Sequence, residues 1–231
     1  MAAQISGGLP IGELFERQAD PALQNRELVP SGDVTVADFA EIWMRIVEEN
    51  DDPAAVRRAM GARALAAATV DEVARRAVIE ARLPVREWPS RDLRVTAVNA
   101  LTGDLRVFDR GSGVPLMDAV AASCAVPMIW PPVTIGGVRY VDGGVGSVNN
   151  LALATGYERV LLLAPMDEPA LAADIAMVEG EGGRVEVIGP DEASRAAFGA
   201  DPLDPSTRTP SANAGLAQGK AAAAGIASFW A

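Results

Sequence analysis

The sequence predicts an α/β sandwich, with helices on both faces of a mixed sheet, and three observations carry that prediction. Helix-period segments fill the first eighty residues, then give way to short apolar strands and alternate with them. One strand candidate, Arg159 to Ala164 (RVLLLA), is nearly all apolar, as a strand covered on both faces must be. The helix predicted at Pro115 to Ser123 is built of small and apolar residues, and Ala121, Ala122 and Ala125 mark a close helix-to-sheet junction.

A chain of 231 residues can bury a large core and suits one substantial domain better than two. Its net charge of -11 argues against nucleic acid as a partner, because a phosphate backbone needs a basic face. The same charge weakens constitutive attraction to anionic headgroups and leaves room for transient contact with a membrane surface. One cysteine, Cys124, excludes an intramolecular disulfide and offers no metal cluster, so a reducing cytoplasm is the expected compartment. The absence of histidine removes Ser-His-Asp and Cys-His mechanisms and most zinc chemistry. Neither a cofactor nor a metal is expected.

The elements follow in order. Residues 1 to 6 read as the last turns of a helix closed by Gly7-Gly8, with no N-cap before them. Leu9 to Ala19 is a short amphipathic helix, and Ser31 to Asp33 is turn material. Thr35 and Asp38 have capping-box form ahead of Val36, Phe39, Ile42, Trp43, Ile46 and Val47 on one helical face. Asp52-Pro53 opens the next helix in N-cap, N1 order. Thr69 and Glu72 suggest another capping box before Val73, Ala77 and Val78, and the pairs Arg57-Arg58 and Arg75-Arg76 read as solvated faces.

Leu93 to Asn99 and Leu105 to Phe108 make a hairpin around Leu101-Thr102-Gly103. After an irregular corner at Pro127, Pro131 and Pro132, a second hairpin runs from Val133 to Ile135 and from Val138 to Asp142, with Gly136-Gly137 as a primed-type turn. Arg184 to Ile188 is a further strand, and Asp191 can cap a short helix. Residues 199–231 form a variable tail, a loop from Gly199 to Pro210 and an Ala-rich helix from Ser211 to Trp230 that Phe229 and Trp230 anchor.

Chemistry concentrates at Asp142-Gly143-Gly144. On the tripeptide alone two readings stand open. In one, the Asp side chain caps a turn and the glycines take positive φ. In the other, a carboxylate held at a strand end accepts a proton. With no histidine, such an Asp would have to act directly on a serine hydroxyl, helped by desolvation and an oxyanion hole.

The residues around it decide. Ala122-Ser123-Cys124-Ala125-Val126-Pro127, then Trp130-Pro131-Pro132-Val133, then Val141-Asp142-Gly143-Gly144 and Asn149-Asn150, resemble the second half of a patatin-like phospholipase domain. The resemblance runs from residue 1 to about Ile188 and is strongest between Leu93 and Ala164. It implies a three-layer α/β/α sandwich with a mostly parallel sheet, and a serine lipid acyl hydrolase acting through a Ser-Asp dyad without a metal. It assigns Asp142 as the dyad aspartate and Gly143 and Gly144 as the residues shaping its turn. The implied partner is a lipid or a small acyl ester.

One departure is large. The family places its serine on a G-x-S-x-G elbow, and no serine in this chain has glycine at both −2 and +2. The segment Ala2 to Gly8 resembles the end of the helix that follows the elbow. The expectation is therefore one patatin-like domain over 1–231 lacking its first strand or strands, with the nucleophile and oxyanion loop absent, so that the chain by itself is inactive. Two alternatives remain: a catalytically dead domain that binds lipid or protein, and a hydrolase pairing Asp142 with Ser123 or Ser147.

Overall fold

The computed structural model describes residues 2–24, 28, 34–201 and 204–231, and the turn expected at 31–33 lies outside them. The chain forms two compact units, Met1–Leu14 with Arg26–Gly146, and Phe15–Asn25 with Ser147–Ala231.

Three short helices open the chain: α1 (Ala2–Ser6), α2 (Ile11–Ala19) and α3 (Pro21–Gln24). Gly8 closes the first at φ +86°, the left-handed conformation expected of a helix-ending glycine. Helix α4 (Val36–Glu49) starts at the expected capping box, in which Asp38 N–H donates to Thr35 Oγ1 and Thr35 N–H to Asp38. Ile46 is buried and Phe39, Ile42 and Trp43 pack beside it, whereas Val47 is exposed. Helix α5 (Pro53–Ala66) is capped by Asp52 as expected. Helix α6 (Glu72–Arg82) is not capped by Thr69: Asp71 accepts from Val73 and Ala74 N–H, while the Glu72 carboxylate accepts from Thr134 N–H and Oγ1. Val73, just after that start, lies off the buried face of the helix. It is 74% exposed, and Arg75 and Ile79 are buried.

Strands β1 (Val95–Asn99) and β2 (Leu105–Phe108) form the first hairpin. Helix α7 (Leu116–Ser123) leads through the proline corner to β3 (Val133–Ile135) and β4 (Val138–Asp142). Gly136 and Gly137 join the last two at φ +57° and +80°, the two left-handed positions of a type I′ turn. The order is β2-β1-β4-β3, every pair antiparallel. Alternation along β1 divides the core. Val95 and Ala97 pack with Ala119 and Ala122 of α7, while Val98 turns to the other face with Val141, Met60 of α5 and Ile46. This unit is thus helix, sheet, helix, as expected. A side chain at Gly61 of α5 would lie 2.6 Å from the Ala100 carbonyl carbon, so that helix sits hard against the end of β1.

The second unit pairs β5 (Arg159–Leu163) with β6 (Arg184–Ile188) in parallel, joined by α8 (Leu171–Gly180). Helix α8 is not among the elements the sequence predicts, because its alanines and scattered acids blur the apolar stripe. Leu162, Ala164 and Val178 form the core with Leu151. Cover on both faces of β5 does not hold, since Leu163 is 61% exposed.

The fold is α/β, as the sequence predicts, but its strands form a four-stranded antiparallel sheet and a two-stranded parallel one, in place of one mostly parallel sheet. The connections explain it: tight turns join β1 to β2 and β3 to β4, and a parallel pair needs a crossover, which β5-α8-β6 supplies.

Helix α9 (Glu192–Ala197) is capped by Asp191 as expected. Helix α10 (Arg208–Trp230) begins earlier than predicted. Residues 204–210 are not idle loop: Asp204 caps a 3-10 turn at Pro205–Thr207, and Thr209 Oγ1 donates to Ala19 O. No residue of α10 is fully buried. Among the described residues, no helix is long and apolar enough to cross a membrane.

Candidate active site

Asp142 is the last residue of β4, held between β1 and the end of α7. Its Cα stands opposite Ala97 of β1, and its N–H donates to the Ala125 carbonyl at 2.9 Å. Ala125 closes the C-terminal turn of α7, through an N–H bond to Ala122 O. The strand end is therefore tied to a helix end through one backbone bond. Helix α1 joins the same core through Ala3, which is buried with Ala121, Ala122 and Ala125.

The two glycines serve different ends, and neither adopts positive φ. Gly143 is there for space, since a Cβ would lie 2.6 Å from Thr96 O and closer still to its hydroxyl. Gly144 supplies the donor, its N–H bonding Asp142 Oδ1 at 2.8 Å. The turn reading of the tripeptide is thus right about the Asp cap and wrong about the glycine torsions.

Burial pushes the Asp142 carboxyl up to about 6, against the pull of the Gly144 N–H, which favours the charged form. A carboxylate so placed is ionised at neutral pH yet more basic than a surface aspartate. Among the described residues of its unit, only Gly144 hydrogen-bonds it, and Ser123, at the end of α7, makes no bond to it. Ser147 Oγ accepts from Asn150 N–H at 2.9 Å, which holds Asn150 at φ +49°. Asn149 Nδ2 donates to Glu168 Oε2.

Arg75 departs from the solvated face expected of it. It is 8% exposed, its guanidinium stands 3.7 Å from the Trp130 ring centre, and its Nε and Nη1 have no hydrogen-bond partner. Burial pulls its pKa below the usual arginine value. Arg76, Arg57 and Arg58 do sit in more open settings, paired with Asp118, Gly103 O and Asp52. Burial raises the Cys124 thiol, and the Asp142 carboxylate adds to it, so this cysteine is no ready thiolate. The corner from Met128 to Trp130 is buried, and Met128 holds φ +66°, a conformation few side chains adopt.

Sequence reasoning missed Arg75 and Thr96. The first had a signal, its i, i+4 spacing to Ile79 and i, i+8 spacing to Leu83 on the buried face. The second had none, since nothing local says which strand residue faces Gly143.

The first unit is thus an α/β sandwich with a desolvated carboxylate at a strand end, followed by two glycines. The patatin-like phospholipase family model matches residues 28–155, more than half of the chain and including Asp142, and the chain belongs to that family. The family is one of lipid acyl hydrolases. No curated protein matches the chain.

Proposed function

We propose that this chain carries the aspartate half of a Ser-Asp lipid acyl hydrolase. In this reading Asp142 takes the proton of a serine hydroxyl as its oxygen attacks the acyl carbonyl, and returns it to the leaving alcohol. Water then attacks the acyl-enzyme, with the same carboxylate as base. The carrying observation is the Asp142 carboxyl, raised by burial to about 6 and oriented by Gly144 N–H. A base of that strength, still ionised at pH 7, suits a mechanism with no imidazole.

The serine and its oxyanion donors are not among these 231 residues in elbow form, so the chain alone should leave esters unhydrolysed. The proposed substrates are lipid or small acyl esters, met in the cytoplasm, with transient contact at a membrane surface. The test compares 1–231 with a version extended by the in-frame upstream coding sequence, using short-chain p-nitrophenyl esters and a fluorophosphonate probe. Activity and labelling only in the extended protein, lost on Asp142→Asn, support the reading. An upstream frame without G-x-S-x-G would instead favour a non-catalytic binding domain. Labelling of 1–231 itself would point to Ser123 or Ser147.

A further inference from the structure

The second unit carries a feature that lies beyond the family match in sequence. Arg159 and Arg184 are register partners at the starts of β5 and β6, so both side chains leave the same sheet face about 5 Å apart. Like charges set side by side repel, and among the described residues neither guanidinium has an ion pair. Arg159 Nε is buried without an acceptor. The Arg184 guanidinium lies 5.5 Å from the Phe229 ring centre, and Phe229 in turn touches Trp230, which is 50% exposed.

A groove of about 350 Å³ opens between this face of β6 and α10. Its walls are Ile188, Ala221, Ala222, Gly225 and Ile226, and Gln218 closes one end by donating to Gly189 O while accepting from Ser194 Oγ. From Gln218 to Ile226 the helix advances about 12 Å, enough for a medium-length alkyl chain. Three residues beyond Ile226, Phe229 stands over Arg184, so the arginine pair lies past the Ile226 end of the groove. Glu186 lines the same groove and is exposed. It stands two residues from Arg184 on the same face of β6, where the two guanidiniums outnumber its one carboxylate.

We propose that this is a binding site for an anionic amphiphile, with a carboxylate or phosphate on Arg159 and Arg184 and an alkyl tail along the β6–α10 groove. Paired guanidiniums suit an oxyanion, and an acceptor there would satisfy Arg159 Nε and quench the repulsion. The alanines and glycine of α10 keep the groove open.

The test uses chain 1–231 and reads Trp230 emission as the difference between wild type and Trp230→Phe. Dodecanoate and dodecyl phosphate are titrated, with inorganic phosphate and dodecyl maltoside as the head-only and neutral-tail probes. Saturable binding of either dodecyl anion, about tenfold or more tighter than both controls, is expected, and comparing the two anions tells carboxylate from phosphate. Arg159→Ala with Arg184→Ala should weaken it about tenfold or more. Ile226→Trp, which fills the groove and spares the arginines, should do the same and serves if the double variant does not fold. Binding unchanged in Ile226→Trp, or inorganic phosphate matching dodecyl phosphate, overturns the groove. Equal binding of dodecyl maltoside, or no binding at all, overturns the whole site.

Discussion

The backbone of Asp142 is bonded to that of Ala125, N–H to carbonyl at 2.9 Å, so the strand end that carries the carboxylate is anchored to the end of α7. The side chain is then turned by a second bond, from Gly144 N–H. Two bonds within three residues leave the carboxylate little freedom, which is what a base needs if it is to meet a proton in one direction.

Gly143→Ala should be among the costliest single changes in the chain. The new methyl meets the Thr96 carbonyl and hydroxyl, and a backbone atom cannot rotate away. A loss of about 2–4 kcal/mol is expected in urea unfolding. Adding Thr96→Ala should recover only part of it. Gly144→Ala is milder, because its methyl would sit 3.2 Å from Asp142 Oδ1.

Asp142 should make stability fall as pH rises. Between 3.8 and about 6 the folded chain keeps a proton on this carboxyl that the unfolded chain has released. The favourable contribution is complete below 3.8, and above about 6 the folded state bears the full cost of a desolvated carboxylate, about 3 kcal/mol. The readout is wild type minus Asp142→Asn across that window, since Asp38, Asp52, Asp191 and Asp204, whose carboxyls are lowered by cap hydrogen bonds, act with the opposite sign in both proteins. A flat difference curve would remove the raised carboxyl.

Arg75→Met should leave the chain within about 1 kcal/mol of wild type, or make it more stable. It keeps a long side chain under Trp130 and discards two unbonded N–H groups, and such exchanges are often neutral or favourable. Arg75→Ala should cost about 2 kcal/mol through the hollow it leaves. If Arg75→Met is as damaging as Arg75→Ala, the guanidinium has a polar partner that accounts for its burial.

Asp71→Ala should cost about 1 kcal/mol and Thr69→Ala a few tenths, because Asp71 holds the two N–H groups at the start of α6. Thermal unfolding of the pair decides between the two caps.

What the residues make legible is what local rules govern. Asp52-Pro53, Thr35 with Asp38, and Gly136-Gly137 each satisfy or bend the backbone within a few positions, and each stands where the sequence puts it. Helix α8 escaped because its stripe is weak. The cap at Thr69 failed because Asp71 is nearer the first turn and Glu72 is drawn away by Thr134, sixty-two residues on.

The feature at the centre of the protein divides the same way. The sequence alone determined that Asp142 ends a strand, that glycines follow it, and that no histidine can assist it. Only the tertiary structure decided that Gly143 is required by Thr96 on the facing strand, that burial lifts the carboxyl, and that Arg75 lies under Trp130. It also decided the pairing of the strands. Spacing along a chain fixes torsions and faces, whereas desolvation and close approach depend on atoms that folding brings from far away.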